Sequence, residues 1–364
     1  MIKREYEQFQ FQGEELKKLA EIKPHKLIDL RGAVCPHPLN VIRDTISSLN
    51  DKEILQAICD HEPTAKENVP RFSARRGYPF GIIEQNGLWQ IFIQKIEKAQ
   101  PRLQVVNVSK AFKTSDGNFT ALNEVNLTIH QGEFVCLLGP SGCGKTTLLN
   151  LIAGLDKPTK GEIWSNGNRV TGPGSDRVVV FQEGALFPWL TVMQNVEFGL
   201  KILKVDGKIR KALALDYLKL VGLDEKFHNS FIHQLSGGMK QRVAIARALA
   251  MEPSVLLMDE PFAALDVYTR ETLQEELQNI WSESHKTIVF VTHNVQEAAL
   301  LGDRVIVFGK NPGRIKSEYE IDIERPRKID NPEVFLNTKW ITNDLREEIE
   351  GSEYEDEVRG VAQR

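Results

Sequence analysis

The first part of the chain alternates between short apolar runs and helix-like stretches. Four runs have the length and the β-branched or aromatic content of strands: 27–30, 53–59, 79–84 and 88–95. Helix-like stretches at 36–49 and 63–76 separate the first three, and Gln85-Asn86-Gly87 joins the last two through an Asn-Gly pair that favours a hairpin. The pattern predicts a β-α-β-α-β-β domain that ends near 98–101.

The pattern of strands restarts at Leu103 and differs from the first. Three strand-like runs, at 103–112, 121–129 and 132–139, precede a helix-rich stretch over about 185–250. Three continuous apolar runs are typical of strands covered on both faces: 254–259, 287–293 and 304–309. Helical spacing over 267–283 separates the first two of these runs. A second, larger α/β domain is predicted.

Composition narrows the class of protein. The 364 residues include 46 basic and 50 acidic side chains, for a formal net charge of -4, and 41% are hydrophobic. These values are ordinary for a soluble globular protein of two or three domains and argue against a nucleic-acid partner, which usually requires a basic excess. No apolar run approaches a membrane span or a signal peptide, and the four cysteines lack the spacing of a disulfide framework, which fits the cytoplasm.

Four segments follow from these patterns. We predict an N-terminal extension (1–24), a small domain (25–98), a larger domain (103–317) and an acidic C-terminal extension (318–364). The last segment carries 14 acidic and 7 basic side chains, a net charge of -7. We expect its most acidic part, 347–357, to be a solvated or mobile end of the chain and not a site.

A glycine-rich turn follows the strand-like run 134–138. The sequence GPSGCGKTT matches the phosphate-binding loop pattern G-x-x-x-x-G-K-[ST] at Gly139, Gly144, Lys145 and Thr146. Glycines allow successive backbone N–H groups to surround phosphate oxygens, and the following helix N-terminus adds positive potential. Lys145 would reach the β- and γ-phosphates and Thr146 would offer its hydroxyl to Mg²⁺. The alternative is a tight β-α turn without a ligand.

An acidic pair ends the run 255–258. Asp259 and Glu260 follow a buried strand, at the edge where α/β sheets bind ligands. Asp259 suits the Mg²⁺ shell, and Glu260 suits a general base that polarises water for attack on the γ-phosphate. Such a pair is common by itself.

The sequence LSGGMKQRVAIARAL (235–249) places Ser236 as the N-cap of a helix that opens with Gly237 and Gly238. One interpretation is a capped helix with a basic face. The other is a second phosphate-binding N-terminus, which serves a nucleotide held by the other subunit of a dimer because the chain already has one phosphate-binding loop.

The order of these motifs resembles the ATP-binding-cassette (ABC) ATPases. GPSGCGKTT, Gln182, LSGGMKQR, VLLMDE, ALD (264–266) and His293 follow one another over about 103–317, and LSGG-x-[KRQ]-QR is close to diagnostic. The resemblance implies a P-loop NTPase fold of ABC type with a helical subdomain, ATP and Mg²⁺ as cofactors, and a homodimer that encloses two ATP molecules.

The resemblance also implies roles for single residues. Phe112 would stack on adenine, and Asp266 would lie at the dimer seam. Gln182 would sense Mg²⁺ and the γ-phosphate, and His293 would clamp the γ-phosphate. Taken singly, Phe112 is as compatible with ordinary packing, and His293 with the end of a strand. The implied nucleotide contacts are Phe112, Gly139, Pro140, Ser141, Gly142, Cys143, Gly144, Lys145, Thr146, Thr147, Ser236, Gly237, Gly238 and Asp266, the metal ligands Thr146, Gln182 and Asp259, and the catalytic residues Glu260, His293, Gln182 and Lys145.

The segment 183–200 lies where ABC ATPases receive a short helix of a membrane permease. Phe187, Pro188 and Trp189 fit an apolar docking groove, although packing within the subdomain explains them equally. The amino-acid sequences of this segment, of 292–308 and of 321–327 are most similar to those of the nitrate, sulfonate and taurine importer ATPases.

The small domain contains the phrase DLRGAVCPHP (29–38). Cys35 precedes two prolines at a predicted helix N-terminus, where unpaired N–H groups stabilise a thiolate; the alternative is a buried cysteine before a proline-rich helix start. The phrase and the order of strands resemble the TusA/SirA sulfur-carrier family over about 26–96, with 64–72 similar to its second helix. The resemblance implies a two-layer domain in which Cys35 carries sulfur as a persulfide.

A Cys-x-His sequence lies at or after the end of each of the first two predicted strands. Because a right-handed β-α-β unit makes these strands parallel, Cys35 and His37 would share one sheet edge with Cys59 and His61. They could form a soft-metal site or a resolving cysteine pair, or simply an edge cysteine with an exposed histidine.

The resulting hypothesis is the ATP-hydrolysing subunit of an importer for a small anion such as a sulfonate, taurine or nitrate. It would act on the cytoplasmic face of the membrane, with a separate permease and an extracytoplasmic solute-binding protein. One rival is a soluble sulfur-trafficking ATPase with Cys35 as its functional centre and a sulfur-transfer partner. Another makes the small domain a module that senses thiol state or ligand and regulates the ATPase.

Overall fold

The protein comprises two compact units, Met1–Ala99 and Gln100–Arg364. A computed structural model describes residues 10–11, 13, 16, 18, 23–32, 41–42, 45–46, 48–60, 62, 64–70, 73, 78–85, 87–95, 101–115, 117–182, 184–284, 286–310 and 312–362. Over these residues, none of the helices combines the length and apolar character needed to cross a bilayer.

The first unit is built on a four-stranded sheet in the order β1-β2-β4-β3. Its strands are β1 (Lys26–Asp29), β2 (Ile54–Cys59), β3 (Phe80–Gln85) and β4 (Leu88–Gln94), within a residue or two of the predicted runs. The predicted parallel pairing of β1 with β2 is confirmed. The predicted hairpin is confirmed too, with Gln85 opposite Leu88 and Gly87 at a φ of 75°.

Helical residues cover one face of this sheet. Ile42 and Ile46, one turn apart, are buried with Leu55, Phe80 and Ile91 of the strands in a common core. A π-helix over Thr64–Asn68 contributes the buried Ala65. Sheet and helices thus form the predicted two layers.

The described residues of the second unit form ten strands in two sheets. They are β5 (Leu103–Thr114), β6 (Gly117–Ile129), β7 (Phe134–Leu138), β8 (Lys160–Ser165), β9 (Asn168–Arg169), β10 (Arg177–Val180), β11 (Val255–Asp259), β12 (Thr287–Thr292), β13 (Arg304–Gly309) and β14 (Arg314–Glu320). The central sheet has the order β10-β11-β12-β7-β13-β14 and is parallel except for β14. The other sheet is antiparallel, in the order β6-β5-β8-β9.

Seven helices of the second unit are described. They are α1 (Lys145–Ala153), α2 (Val192–Ile202), α3 (Gly207–Leu220), α4 (Gly237–Ala250), α5 (Val267–Ser284), α6 (Val295–Leu301) and α7 (Pro332–Ala362). Helices α2, α3 and α4 pack together as the predicted helical subdomain.

Both faces of the central sheet are buried, which explains its continuous apolar runs. Alternate residues of one strand enter different cores: Phe290 packs with the helical layer around α4 and α5, while Val289 and Val291 pack toward α1 and the antiparallel sheet. Since a slip of one residue would exchange the two sets, this alternation fixes the register of β12 with its neighbours.

The stretch 347–357 differs at Glu348 from its prediction as a solvated end. Helix α7 begins at Pro332, and Glu348 is 9% exposed, accepting hydrogen bonds from the Lys310 backbone N–H (3.0 Å) and the Arg314 guanidinium (3.2 Å). Asp344, one turn earlier, forms an ion pair with Lys316 of β14 at 2.9 Å. Basic partners on the second unit therefore hold one buried and one half-buried carboxylate of the acidic segment.

A buried arginine holds the segment 321–331, which joins β14 to α7, by hydrogen bonds. Arg327 is 3% exposed and donates to the carbonyls of Ile323 (3.0 Å), Ile321 (2.9 Å), Ala299 (3.1 Å) and Gly302 (2.5 Å). These contacts join the connection to the end of α6.

Replacing Arg327 should destabilise the larger unit. Arg327→Met keeps the apolar stem but leaves these carbonyls without their donor, so we expect a loss of roughly 3 kcal/mol in the free energy of unfolding. Urea denaturation measures it, with the exposed neighbour Lys328→Met as the matched control. Equal stability of the two variants would contradict this role of Arg327.

Candidate nucleotide site

Three strands of the central sheet end side by side at one edge. Leu138 of β7 lies opposite Thr292 of β12, and Val291 lies opposite Asp259 of β11. The residues that follow these strands therefore meet at one edge, where parallel α/β sheets bind ligands.

The loop after β7 is shaped by close backbone approaches. A side chain on Gly139 would lie 2.8 Å from both the Cys143 Sγ and the Phe308 carbonyl oxygen. Gly144, at a φ of 94°, packs so closely on Leu122 that a Cβ would come within 2.6 Å of its side chain. Only glycine fits such positions, so the loop curls tightly into the N-terminus of α1.

Lys145 folds back over this loop. It is 4% exposed, and its ammonium donates to the carbonyls of Gly139 (2.7 Å) and Pro140 (3.0 Å). Ser141 and Gly142 lie exposed at the tip, whereas Cys143 is buried and burial raises the pKa of its thiol. A cation held against this glycine-rich loop suits a polyphosphate.

Thr146 and Asp259 form the polar link between α1 and β11. The Thr146 hydroxyl donates to the Asp259 carboxylate at 3.0 Å, and burial raises the pKa of that carboxyl. A hydroxyl and a desolvated carboxylate, both oxygen donors beside the phosphate loop, fit the ligand preference of Mg²⁺.

Glu260 and His293 approach each other from neighbouring strands. The Glu260 carboxylate lies 2.9 Å from His293 Nδ1. Glu260 has a φ of 43°, in the left-handed region, where a residue other than glycine costs on the order of 1 kcal/mol. Its N–H donates to the Val291 carbonyl at 3.0 Å, which holds this strained turn against β12.

Phe112 and Gln182 lie on separate elements, and both are exposed. Phe112, on β5, is 38% exposed, with the Lys110 ammonium 4.9 Å from its ring centroid. Gln182 follows β10 in a turn. The structure leaves both side chains available to a ligand.

Helix α4 begins as predicted. The Ser236 hydroxyl accepts the Met239 N–H at 3.3 Å as the N-cap, and both Ser236 and Gly237 are exposed. Gly238 is buried, and a Cβ there would lie 2.5 Å from the Thr269 methyl carbon on α5. Asp266 is exposed and accepts the Thr269 N–H at 3.0 Å, an interaction that lowers its carboxyl pKa.

Comparison with known proteins identifies the larger unit. The family model described as "ABC transporter" matches residues 122–263. An ABC transporter ATP-binding protein of Methanocaldococcus jannaschii is 49% identical over 257 residues, covering 71% of this chain and 96% of that protein. The chain belongs to the ABC transporter ATP-binding proteins.

Other ABC proteins extend this comparison. The nitrate import ATP-binding protein NrtD of Synechocystis is 48% identical, over 71% of this chain and 94% of its own. The taurine import ATP-binding protein TauB of Pelagibacter ubique is 45% identical, over 68% and 97%. A dimeric cassette structure with ADP and phosphate bound aligns with a TM-score of 0.55 and 40% identity, over 60% of this chain and 98% of that one.

These matches confirm the ABC-type P-loop fold, the ATPase activity and the cofactors ATP and Mg²⁺ that the sequence predicts. The smaller unit matches the family model "Sulfurtransferase TusA" over residues 26–95, which confirms the TusA-like domain.

Most of the predicted cysteine site of the TusA-like domain lies outside the described residues. Cys35, His37 and His61 belong to that part. Cys59 is described at the end of β2 and is fully buried. Within the described part of the chain, no group of three or more His, Cys, Asp or Glu residues could hold a metal ion. The paired Cys-x-His site remains a prediction.

Three polar residues of the ABC unit, two of them buried and one half-buried, escaped the sequence analysis. Asn195 of α2 accepts from the Phe187 N–H at 2.9 Å and donates to its carbonyl at 3.1 Å, which shapes the loop of Pro188 and Trp189. Arg247 of α4 donates to the carbonyls of Gly184 and Ala185, both at 2.9 Å, just after Gln182. Glu297 lies within hydrogen-bonding distance of Thr292; its position in the first turn of α6, after the cap Asn294, was the available signal.

The close contact of Gly238 with Thr269 is testable. Gly238→Ala should displace the first turn of α4. We expect the ATPase kcat to fall by roughly tenfold, because the sequence predicts a phosphate contact at this turn. Adding Thr269→Ser, which removes the obstructing methyl group, should restore most of the activity. Steady-state phosphate release measures both, with Thr269→Ser alone as the control. A double variant no faster than Gly238→Ala would contradict the steric explanation.

Proposed function

We propose that this protein is the ATP-hydrolysing subunit of an importer for a small anion, such as taurine, another sulfonate or nitrate. The observation that carries the proposal is the aligned edge that brings Lys145, Thr146, Asp259, Glu260 and His293 together. Identities of 48% and 45% to the nitrate and taurine import proteins, over nearly their full lengths, support the class of solute.

The residues of this edge divide the chemistry among them. Lys145 and the backbone N–H groups of residues 141–147 hold the phosphates, and Phe112 stacks on the adenine. Thr146, Asp259 and Gln182 would hold Mg²⁺, which supplies charge neutralisation on the β- and γ-phosphates. Glu260 accepts a proton from water as the water oxygen bonds to the γ-phosphorus and the bond to the ADP oxygen breaks. His293, in contact with Glu260, clamps the γ-phosphate.

The second phosphate-binding surface acts in a homodimer. Ser236, Gly237 and Gly238 face the γ-phosphate held by the other subunit, with Asp266 at the seam. ATP binding closes the two subunits and hydrolysis reopens them, so a permease alternates between two states. The dimeric cassette with ADP and phosphate, 40% identical, supports this arrangement.

The permease docks at the loop before α2. Pro188 and Trp189 are exposed, Trp189 to 70%, while Phe187 packs on Phe198 at a centroid distance of 4.4 Å and on Arg247. Phe187 thus anchors the loop and Trp189 offers an apolar contact. In this proposal the protein acts on the cytoplasmic face of the membrane, and an extracytoplasmic binding protein supplies the solute to the permease.

Glu260→Gln tests the general base. The amide keeps the size of the side chain but accepts no proton, so ATP binding should persist while turnover falls by roughly a hundredfold or more. With ATP, size-exclusion chromatography should show a stable dimer. Lys145→Ala, the control, should neither bind ATP tightly nor dimerise. Turnover near the unmodified level in Glu260→Gln would contradict the assignment.

The solute is identified by stimulation of ATP hydrolysis in a reconstituted complex with the permease. Candidate binding proteins loaded with taurine, another sulfonate or nitrate are compared with the same proteins unloaded. Stimulation by one loaded protein only would name the class of solute.

The TusA-like domain carries sulfur on Cys35 in this proposal. Two aspartates fix the residues that precede the segment of Cys35. Asp29 accepts a hydrogen bond from the Arg31 Nε–H at 2.9 Å, and Asp60 accepts one from the Gly32 N–H at 3.0 Å. A fixed loop start suits presentation of a thiol. The importer is favoured over a free sulfur-trafficking protein because the matches to import ATPases extend over nearly their whole length.

Incubation with a cysteine desulfurase and cysteine tests this role. Intact-mass spectrometry should detect one added sulfur atom, removable by reductant, in the unmodified chain and in Cys59→Ser but not in Cys35→Ser. ATPase rates with Cys35 blocked and free distinguish a carrier from a regulator. Sulfur retained in Cys35→Ser would disprove the assignment.

A further inference from the structure

A carboxylate lies buried one turn beyond His293. Glu297 of α6 is 6% exposed; its carboxylate accepts a short hydrogen bond from the Thr292 hydroxyl and another from the Gln274 amide, at 2.9 Å. Gln274 belongs to α5 and is itself 4% exposed. The carboxylate therefore joins the residue before His293 to a separate helix.

The same contacts hold the turn that presents His293. The Thr292 hydroxyl accepts the Asn294 N–H at 3.0 Å, and the Asn294 side chain accepts the Glu297 N–H at 3.1 Å. Residues on both sides of His293 are thus tied to Glu297 or its helix turn. The imidazole remains exposed and reaches Glu260.

Helix α5 is tied in turn to the loop that follows Glu260. Arg270, one turn before Gln274, donates to the carbonyls of Phe262 (3.3 Å) and Leu265 (3.0 Å). Asp266, next in that loop, accepts the Thr269 N–H on the first turn of α5. The loop 262–266 and the N-terminal half of α5 form one hydrogen-bonded piece.

The carboxylate is costly where it lies. Burial raises the pKa of Glu297, against the opposing effects of Thr292, Gln274 and the Arg270 charge, so the folded state carries a penalty for its ionised form above the ordinary pKa. An amide of the same size would avoid this penalty. The two hydrogen bonds of the buried carboxylate, to Thr292 and Gln274, are the contacts through which it can set the position of the His293 turn.

We propose that Glu297 is a positioning residue that couples the His293 turn to the loop 262–266 through Gln274 and α5. A shift of α5 or of Asp266 is transmitted to His293 by this chain of contacts, and the reverse. Within one chain, this coupling affects the rate of ATP hydrolysis. That it also reaches the nucleotide of the second subunit rests on the proposed homodimer.

Two buried glutamines of α5 provide a matched test. Gln274 contacts Glu297, whereas Gln278, one turn on and 1% exposed, donates to the Arg327 carbonyl and accepts its N–H. Gln274→Met and Gln278→Met therefore remove the same amide from the same helix. Glu297→Gln gives a conservative third variant, whose melting temperature should not fall because it removes a buried charge.

The readout is single-turnover ATP hydrolysis below the unfolding temperature of every variant. We expect Gln274→Met and Glu297→Gln to lower the hydrolysis rate about tenfold, with ATP affinity unchanged. Gln278→Met should lower the melting temperature but leave the rate near the unmodified value. In a His293→Ala chain, adding Gln274→Met should cause no further loss, because its effect passes through His293.

Two results would overturn the proposal: losses that multiply in the double variant with His293→Ala, or equal losses in Gln274→Met and Gln278→Met. Failure of the proposed importer or dimer is recognised separately. If the Glu260→Gln chain stays monomeric with ATP, the coupling does not extend to a second nucleotide. The comparison of Gln274→Met with and without His293→Ala still tests the coupling within one chain.

Discussion

The nucleotide site depends on the register of three buried parallel strands. Cys136, Met258 and Phe290 lie side by side across β7, β11 and β12 and point into one core, so the three strands cannot slip singly without placing large side chains in the wrong layer. Because packing in this core sets the register, the phosphate loop, the acidic pair and His293 all follow their strands at the same edge of the sheet. Hydrophobic packing thus determines the positions of the charged groups, which by themselves would repel or be hydrated.

The sequence predicts best what local pattern encodes. The buried strands β11, β12 and β13, the phosphate loop, the cap at Ser236 and the hairpin around Gly87 each depend on residues within one short window. Strands β8, β9, β10 and β14 and helix α7 went unpredicted. In β14, Lys316 and Glu318 interrupt any apolar pattern, and the strand exists because β13 and α7 supply Arg304 and Asp344 as partners.

The same distinction applies within the site. Residue types and spacing were sufficient to name Lys145, Asp259 and Glu260 as candidates. The strained turn at Glu260 and its contact with His293 join residues 33 positions apart, and the burial of Glu297 depends on a third element, α5. Such features arise only when the sheet is assembled, so no window of sequence contains them.

The contact between Glu348 and the end of β13 extends the folding unit past the last catalytic motif. Gly309 has no side chain, which leaves room for the Glu348 carboxylate to cover the Lys310 N–H and the Arg314 charge. A fragment designed from the motifs alone, ending at Gly309, would expose the edge of β13 that β14 covers and discard this anchor. Recombinant cassettes of this protein therefore require an endpoint chosen by packing, beyond Glu348, and not by the extent of homology.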